Sequence, residues 1–194
     1  MRRVILQEFV TLDGLAAGPD DSVDFVPAST AGDRTFGDRQ LAFMDTIDTI
    51  LLGRVTYEMF AAYWPDITSG EDKPFADKLN AIPKVVFSGT LARAPWGDWE
   101  EARVVGGGAT EEVARLRQAP GKDMVVWGSI GLAQSLIDGN LIDEYQLIVC
   151  PVVLGTGRPL FRGALDAVEM RLRGTQSFDR GAVLLAYAPH PRAS

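Results

Sequence analysis

Four short turns carry the residue types that a phosphate-bearing ligand needs. Gly53-Arg54-Val55-Thr56, Ser88-Gly89-Thr90, Gly106-Gly107-Gly108 and Gly128-Ser129-Ile130-Gly131 each follow an apolar, β-branched run, and all but the second precede a segment with helical spacing. Glycine after a strand lets backbone amides approach a phosphate, and a following helix adds the positive end of its dipole. One such glycine is ordinary turn geometry; four on one edge of a sheet make a place for an anion. Arg54 stands at a helix start, where the dipole disfavours a cation, so its position suits an anion held between the two. The alternative is a surface arginine paired with a neighbouring carboxylate.

Other chemistry is excluded by residue type. No Gly-Lys-Ser/Thr follows any glycine pair, since Gly121-Lys122 leads into Asp123, so there is no P-loop. No clean G-x-G-x-x-G is present, and no acid falls about 20 residues beyond Gly106 or Gly128 to hold a ribose diol. Cys150 is the only cysteine and His190 the only histidine. That rules out a disulfide framework and a thiol or imidazole metal cluster within the chain, and predicts no metal. Cys150, in an apolar run, reads as a buried thiol, and His190 as an exposed tail residue. Nineteen Lys and Arg against 26 Asp and Glu give a net charge of −7, which disfavours nucleic acid. No apolar run approaches the roughly 20 residues that span a bilayer, so the expected setting is the cytoplasm, away from membranes.

The elements that position these turns follow from periodicity. Arg3 to Val10 reads as a strand stopped by Thr11-Leu12-Asp13-Gly14, and the Gly-, Pro-, Asp- and Ser-rich stretch to Gly37 as a lid or substrate loop. A helix through Leu41, Phe43, Met44 and Ile47 leads to a strand ending at Gly53. The next helix opens at Arg54 and stops at Trp64-Pro65. Strands follow at Lys84 to Phe87, Arg103 to Val105 and Asp123 to Trp127, with helices over Thr110 to Gln118 and through Leu132, Leu136 and Ile137. From Glu144 only strands are read: YQLIVCPVVLG, Val168 to Leu172 and Ala182 to Tyr187. Alternating strand, glycine turn and helix predicts an α/β fold with a mostly parallel central sheet and antiparallel C-terminal strands. The 194 residues, 46% hydrophobic and 23% charged, suit one domain, taken as residues 1–188 with a tail at 189–194.

LLGRVTYE (Leu51 to Glu58), KVVFSGTL (Lys84 to Leu91), VVWGSIGLAQSLI (Val125 to Ile137) and LIDEYQLIVCPVVLGTGRPLF (Leu141 to Phe161), in that order, resemble the dihydrofolate-reductase-like proteins. The nearest likeness is to the bacterial group akin to the C-terminal reductase domain of riboflavin biosynthesis, the RibD C-terminal-like proteins. The resemblance runs over nearly the whole chain, from VILQEFVTLDG onward. It implies a three-layer dihydrofolate-reductase-like fold with NADPH lying across the strand ends. By position, Gly53, Arg54 and Thr56 resemble the G-R-x-T segment that holds the cofactor's phosphates. Ser88 resembles the turn on the side of the adenosine 2′-phosphate. Gly128, Ser129, Ile130, Gly131 and Leu132 resemble the turn under the pyrophosphate and nicotinamide ribose, and Val10, Leu15 and Ala17 would flank the nicotinamide.

That likeness implies a reductase that passes a hydride from NADPH to a small pterin- or pyrimidine-like heterocycle. Because the nicotinamide supplies the reactivity, the lack of a catalytic histidine or cysteine is no obstacle. The candidate acids are Asp38, on the first long helix with Asp45, and Asp13 in the TLDG turn, which serves equally as an Asp-Gly turn former. The resemblance also implies a homodimer paired through Leu147 to Leu154 and the GTGRPLF turn. The alternative function is a non-catalytic nucleotide-binding or oligomerisation module on the same fold. Tyr57, Phe60, Tyr63 and Trp64, at helical spacing, read as core, and Trp127 as either core or a cofactor wall.

Overall fold

A computed structural model describes residues 1–161 and 167–190. In chain order its elements are β1 (Val4–Thr11), β2 (Leu15–Ala17), α1 (Phe25–Thr30), α2 (Arg34–Met44), β3 (Ile47–Gly53), α3 (Arg54–Ala61), α4 (Lys73–Ala81), β4 (Lys84–Phe87), β5 (Ala94–Trp96) and β6 (Trp99–Val105). These are followed by α5 (Ala109–Gln118), β7 (Asp123–Trp127), α6 (Ile130–Asp138), β8 (Glu144–Cys150), β9 (Arg158–Pro159), β10 (Met170–Ser177) and β11 (Val183–Pro189).

Among the described residues, nine strands form one sheet in the order β10-β11-β8-β1-β7-β3-β4-β6-β5. The pairs from β8 through β1, β7, β3 and β4 to β6 are parallel, whereas β10/β11, β11/β8 and β5/β6 are antiparallel. This is the predicted mostly parallel sheet with antiparallel C-terminal strands. Strands buried on both faces need continuous apolar runs, and Ile50, Leu51 and Leu52 of β3 and Met124, Val125 and Val126 of β7 are fully buried.

Helices cover both faces, giving three layers. On one side Phe43 and Met44 of α2, Tyr57 of α3 and Leu79 of α4 pack with Ile5, Ile50, Leu52 and Val125. On the other, Val113 of α5 and Leu132, Ala133 and Leu136 of α6 pack with Val4, Leu6, Val10, Leu51 and Val126. The alternation along β1 follows directly: Val4, Leu6 and Val10 face α5 and α6, while Ile5 faces α2 to α4.

The structure corrects several boundaries. The stretch to Gly37 is not one loop: it holds α1, and α2 begins at Arg34, where Asp33 caps it by accepting from the Phe36 amide at 3.0 Å. Asp38 therefore lies inside α2 rather than at its start. Helix α4 and strand β5 come from stretches to which no element had been assigned. The strand expected at Val168 to Leu172 is β10, Met170–Ser177, and the strand expected at Ala182 to Tyr187 is β11, Val183–Pro189; residues 191–194 of the expected tail lie outside the described residues. His190 is exposed, as expected, while its amide donates to the Glu169 carbonyl at 3.0 Å. Cys150 is buried and its thiol is pushed up by burial. No helix of the described residues is long and apolar enough to cross a membrane.

Candidate functional site

The parallel strands bring all four glycine turns to one edge. β1, β7, β3, β4 and β6 stand side by side, and pairing at Gln7 with Trp127, Gly53 with Phe87 and Phe87 with Val105 aligns their carboxyl ends. Val10, Gly128, Gly53, Ser88 and Gly106 thus follow one another along the edge over about 19 Å, four strand spacings. The Ser88 amide donates to the Val105 carbonyl at 3.0 Å, closing the β4 and β6 ends together.

The centre of this edge is the junction of β3 and β7. Each is followed by a helix, α3 and α6, and the two helices lie on opposite faces of the sheet. That divergence opens a crevice outside the carboxyl ends, where open α/β sheets bind ligands. The two turns are clasped: the Gly53 amide donates to Ser129 Oγ at 2.7 Å. Gly128 and Ser129 both take left-handed backbone, at φ 54° and 62°. A Cβ on Gly128 would lie 3.1 Å from Thr56 Cγ2 and Oγ1, so the buried Thr56 of α3 packs on the β7 turn. Neither helix has a side-chain cap, since Gly53 has none to offer and Ser129 spends its hydroxyl on Gly53. First-turn amides left without an internal partner are what an anion takes up.

Other expected residues fall around this centre. Within α6, Leu132 is buried, Ile130 half-buried and Gly131 exposed. Val10 and Ala17 are buried and Leu15 is half-buried. Leu15 and Ala17 lie on β2, which pairs with β9 as a separate ribbon. Ser88 Oγ accepts from the Thr90 and Leu91 amides at 3.2 and 3.1 Å, and so shapes its own turn.

Arg54 and Asp13 each hold a structural partner, and Asp38 lies exposed on the first long helix, α2. The Arg54 guanidinium lies on Glu58, at 3.0 and 2.9 Å from its two oxygens, with both side chains nearly half exposed. This is the neighbouring-carboxylate arrangement. Asp13 accepts from Thr11 Oγ1 at 2.5 Å and from the Gly155 and Leu154 amides at 2.8 and 3.3 Å, which hold its carboxyl below the usual range. It ties the β1 turn to the segment after β8. Asp38 is exposed on α2, and the polar residue that α2 turns toward the sheet is Gln40.

Two residues in the site were not foreseen. Gln7 of β1 is buried, with Nε2 donating to Gln40 Oε1 and Gln146 Oε1 at 3.1 and 2.9 Å. Its Oε1 accepts from Gln40 Nε2 and from the indole of Trp127, both at 2.8 Å. Trp127 is therefore a core residue anchored to β1. Glu8, the next residue, is 6% exposed, and burial pushes its carboxyl up to about 8. One oxygen accepts from the Phe9 amide at 3.2 Å; the other is buried with no partner among the described residues. The signal available in the sequence is a single acid inside an apolar strand.

A cavity of about 360 Å³ opens elsewhere, at the amino ends of β3 and β4, lined among others by Asn80, Lys84, Glu100 and Arg103. Burial lowers the Lys84 amine to about 7, but this end of the sheet is opposite the glycine turns. The described residues contain no group of His, Cys, Asp or Glu able to hold a metal.

Comparison with known proteins agrees with this fold. The model of the family described as "RibD C-terminal domain" matches residues 2–184. Two curated relatives, the uncharacterized proteins YyaP and YwjB of Bacillus subtilis (strain 168), are 33% and 34% identical over 187 residues. The alignments cover 96% of this chain in both cases, and 94% and 97% of the relatives. A Shewanella sp. PV-4 structure provisionally assigned to riboflavin biosynthesis superposes with a TM-score of 0.75 at 21% identity, covering 97% of this chain and 99% of that one. A pyrimidine reductase-like protein of Corynebacterium diphtheriae gives 0.65 at 14%, covering 98% and 93%. Dihydrofolate reductase of Enterococcus faecalis, solved with NADP(H), gives 0.62 at 13%, covering 97% of each chain.

Proposed function

The chain belongs to the RibD C-terminal domain family, and on that footing we propose that it is an NADPH-dependent reductase that passes a hydride to a small pterin- or pyrimidine-like heterocycle. The observation that carries this reading is the clasped pair of uncapped helix starts at Gly53 and Gly128, side by side at the carboxyl edge of a parallel sheet. The donor set suits a dinucleotide: main-chain amides at two helix starts for the pyrophosphate, and a guanidinium within one turn of them for a further phosphate. Arg54 takes that last role by leaving Glu58, an exchange that costs little because both side chains are largely solvated.

Bound NADPH supplies the hydride. The chain's residues hold and orient it: Gly53, Thr56 and the turn from Gly128 to Leu132 at the phosphates and ribose, Ser88 toward the adenosine, and Val10, Leu15 and Ala17 at the ring. The ribbon of β2 and β9 excludes water above β1, since Leu160 after β9 is fully buried and Gln134 of α6 donates to the Pro159 and Leu160 carbonyls at 3.1 and 3.2 Å. Excluding water and fixing donor against acceptor are the protein's share of such a reaction. The substrate lies toward α2, where Gln40 rather than an acid faces the sheet, so recognition through a helix carboxylate is replaced by amide chemistry or by Asp38 at the rim. The protein works as a cytoplasmic homodimer, without nucleic acid.

Titration of the purified chain with NADPH and NADH, followed by the fluorescence of its four tryptophans, tests this. Tighter binding of NADPH, and its oxidation on adding a pterin or aminopyrimidine, is the expected result. Failure to bind either dinucleotide overturns it.

A further inference from the structure

We propose that the Glu8 carboxyl is the polar group that meets the ring end of bound NADPH, hydrogen-bonding the nicotinamide carboxamide. This deepens the cofactor reading and rests on it.

The geometry is that of a strand that loses one neighbour. β1 pairs with β7 only as far as Gln7 and Trp127, whereas its pairing with β8 continues to Thr11 and Cys150. From Glu8 onward, the flank of β1 that β7 leaves is bordered by the turn from Gly128 to Leu132. Alternation puts Glu8 on the face of Leu6 and Val10, toward α6, with Leu147 of β8 directly across. A dinucleotide whose pyrophosphate sits on the Gly128 turn and whose ring reaches Val10 passes Glu8 between them.

The chemistry points the same way. A buried carboxyl oxygen without a partner is destabilising, and an apolar residue of similar size would avoid that cost. Among the described residues nothing charged answers Glu8. On the same face β8 presents Tyr145, itself raised to about 12, while α6 carries no charged residue before Asp138. On the ribbon, β2 has no titratable residue and Arg158 of β9 pairs with Asp21 at 2.7 Å; Asp13 is occupied by backbone amides. Burial alone thus keeps Glu8 neutral at pH 7, and a neutral carboxyl can both donate to the carboxamide oxygen and accept from its nitrogen.

The test compares the full-length chain with Glu8→Gln and Glu8→Leu between pH 7 and 9.5, where the 2′-phosphate, with a second pKa of about 6, stays fully charged. NADPH and a nicotinamide-free fragment, 2′-phospho-ADP-ribose, are titrated against each, and thermal melts establish that both variants fold. Glu8→Leu should weaken NADPH at least tenfold and leave the fragment within twofold, whereas Glu8→Gln, with donor and acceptor, should stay within threefold. The unsubstituted chain should lose NADPH affinity above about pH 8 while Glu8→Gln does not. Unchanged NADPH binding by Glu8→Leu, or an equal loss for the fragment, overturns the inference and leaves the cofactor reading standing. Binding of neither ligand by the unsubstituted chain overturns both.

Discussion

The amide of Gly53 and the hydroxyl of Ser129, 76 residues apart, share a 2.7 Å hydrogen bond that fastens the ends of β3 and β7 together. Ser129→Ala leaves that amide without its partner, at about 1 kcal/mol of stability, and lets the two helix starts drift apart. NADPH affinity should fall severalfold, read by fluorescence titration beside urea melts. Gly128→Ala should do more harm. Its φ of 54° costs an L-residue about 1–2 kcal/mol, and its Cβ would press on Thr56 at 3.1 Å. Adding Thr56→Ser removes the Cγ2 contact and should restore part of the loss; no restoration would mean that the backbone strain alone is responsible.

Arg54 and Glu58 make the cofactor preference testable. Arg54→Ala should weaken NADPH much more than NADH if the guanidinium serves the 2′-phosphate, and both equally if it serves only the pyrophosphate. Glu58→Gln removes the competitor that holds the guanidinium at 2.9 Å. It should strengthen NADPH by about twofold to fivefold at low salt, since such exposed pairs are worth at most about 1 kcal/mol. Calorimetric titration of both dinucleotides with both variants decides between these outcomes.

Glu8 also predicts how stability varies with pH. Its folded pKa, about 8, lies above the ordinary 4.5, so the folded state keeps a proton that the unfolded state releases. Stability contributed at this site is therefore greatest below pH 4.5, declines as pH rises toward 8 and is level above. At pH 7 the penalty is about 3 kcal/mol. Urea unfolding of Glu8→Gln against the parent between pH 5 and 9 should show an advantage that grows with pH; a constant difference would mean that Glu8 titrates normally.

Asp13 has the opposite sign. Its carboxyl is lowered by Thr11 and by the Gly155 and Leu154 amides, so its hold on the segment after β8 is present above its ordinary 3.8 and lost as pH falls through the lower folded value. Asp13→Asn should speed hydrogen exchange at the Leu154 and Gly155 amides at neutral pH, and the parent should approach that behaviour only in strong acid.

Local signals made most of the edge legible before any coordinates. Gly53, Gly106 and Gly128 each follow a short apolar run, and that is enough to place a turn at a strand's carboxyl end and a helix after it. β4 and β7 run over the spans that the apolar pattern predicts, Lys84–Phe87 and Asp123–Trp127. What failed depended on distant partners. The composition before Gly37 hid α1 and the start of α2, because Gly32, Asp33 and Gly37 read as loop while the helix is fixed by the Asp33 cap and by Phe36 against Phe9 and Phe178. Arg54 admits both an anion at the helix start and a neighbouring carboxylate, and the structure shows the second, with Glu58 one turn on. Glu8 and Gln7 were passed over because alternation tells which face a side chain takes, not what covers it. That cover comes from α2 and β8 over Gln7 and from the side of the sheet that α6 packs on for Glu8.

The Gln7 cluster supplies a contrast that ionisation cannot produce. Gln7 is the hub: its amide oxygen takes the Trp127 indole and Gln40, and its nitrogen serves Gln40 and Gln146. Gln7→Leu strands three buried polar partners at once, whereas Trp127→Phe removes one donor and leaves the hub bonded to both glutamines. The first should cost about 3–4 kcal/mol and the second about 1–2 kcal/mol, measured by urea unfolding. Because all four groups are neutral, both losses should be the same at pH 5 and pH 9, unlike the pH-dependent gain of Glu8→Gln. Trp127 also stacks on Phe75 with centroids 6.0 Å apart, so its emission reports this core directly. A pH-dependent cost for Gln7→Leu would mean that the cluster is coupled to Glu8 one residue away, and that β1 carries one polar network across both faces rather than two separate ones.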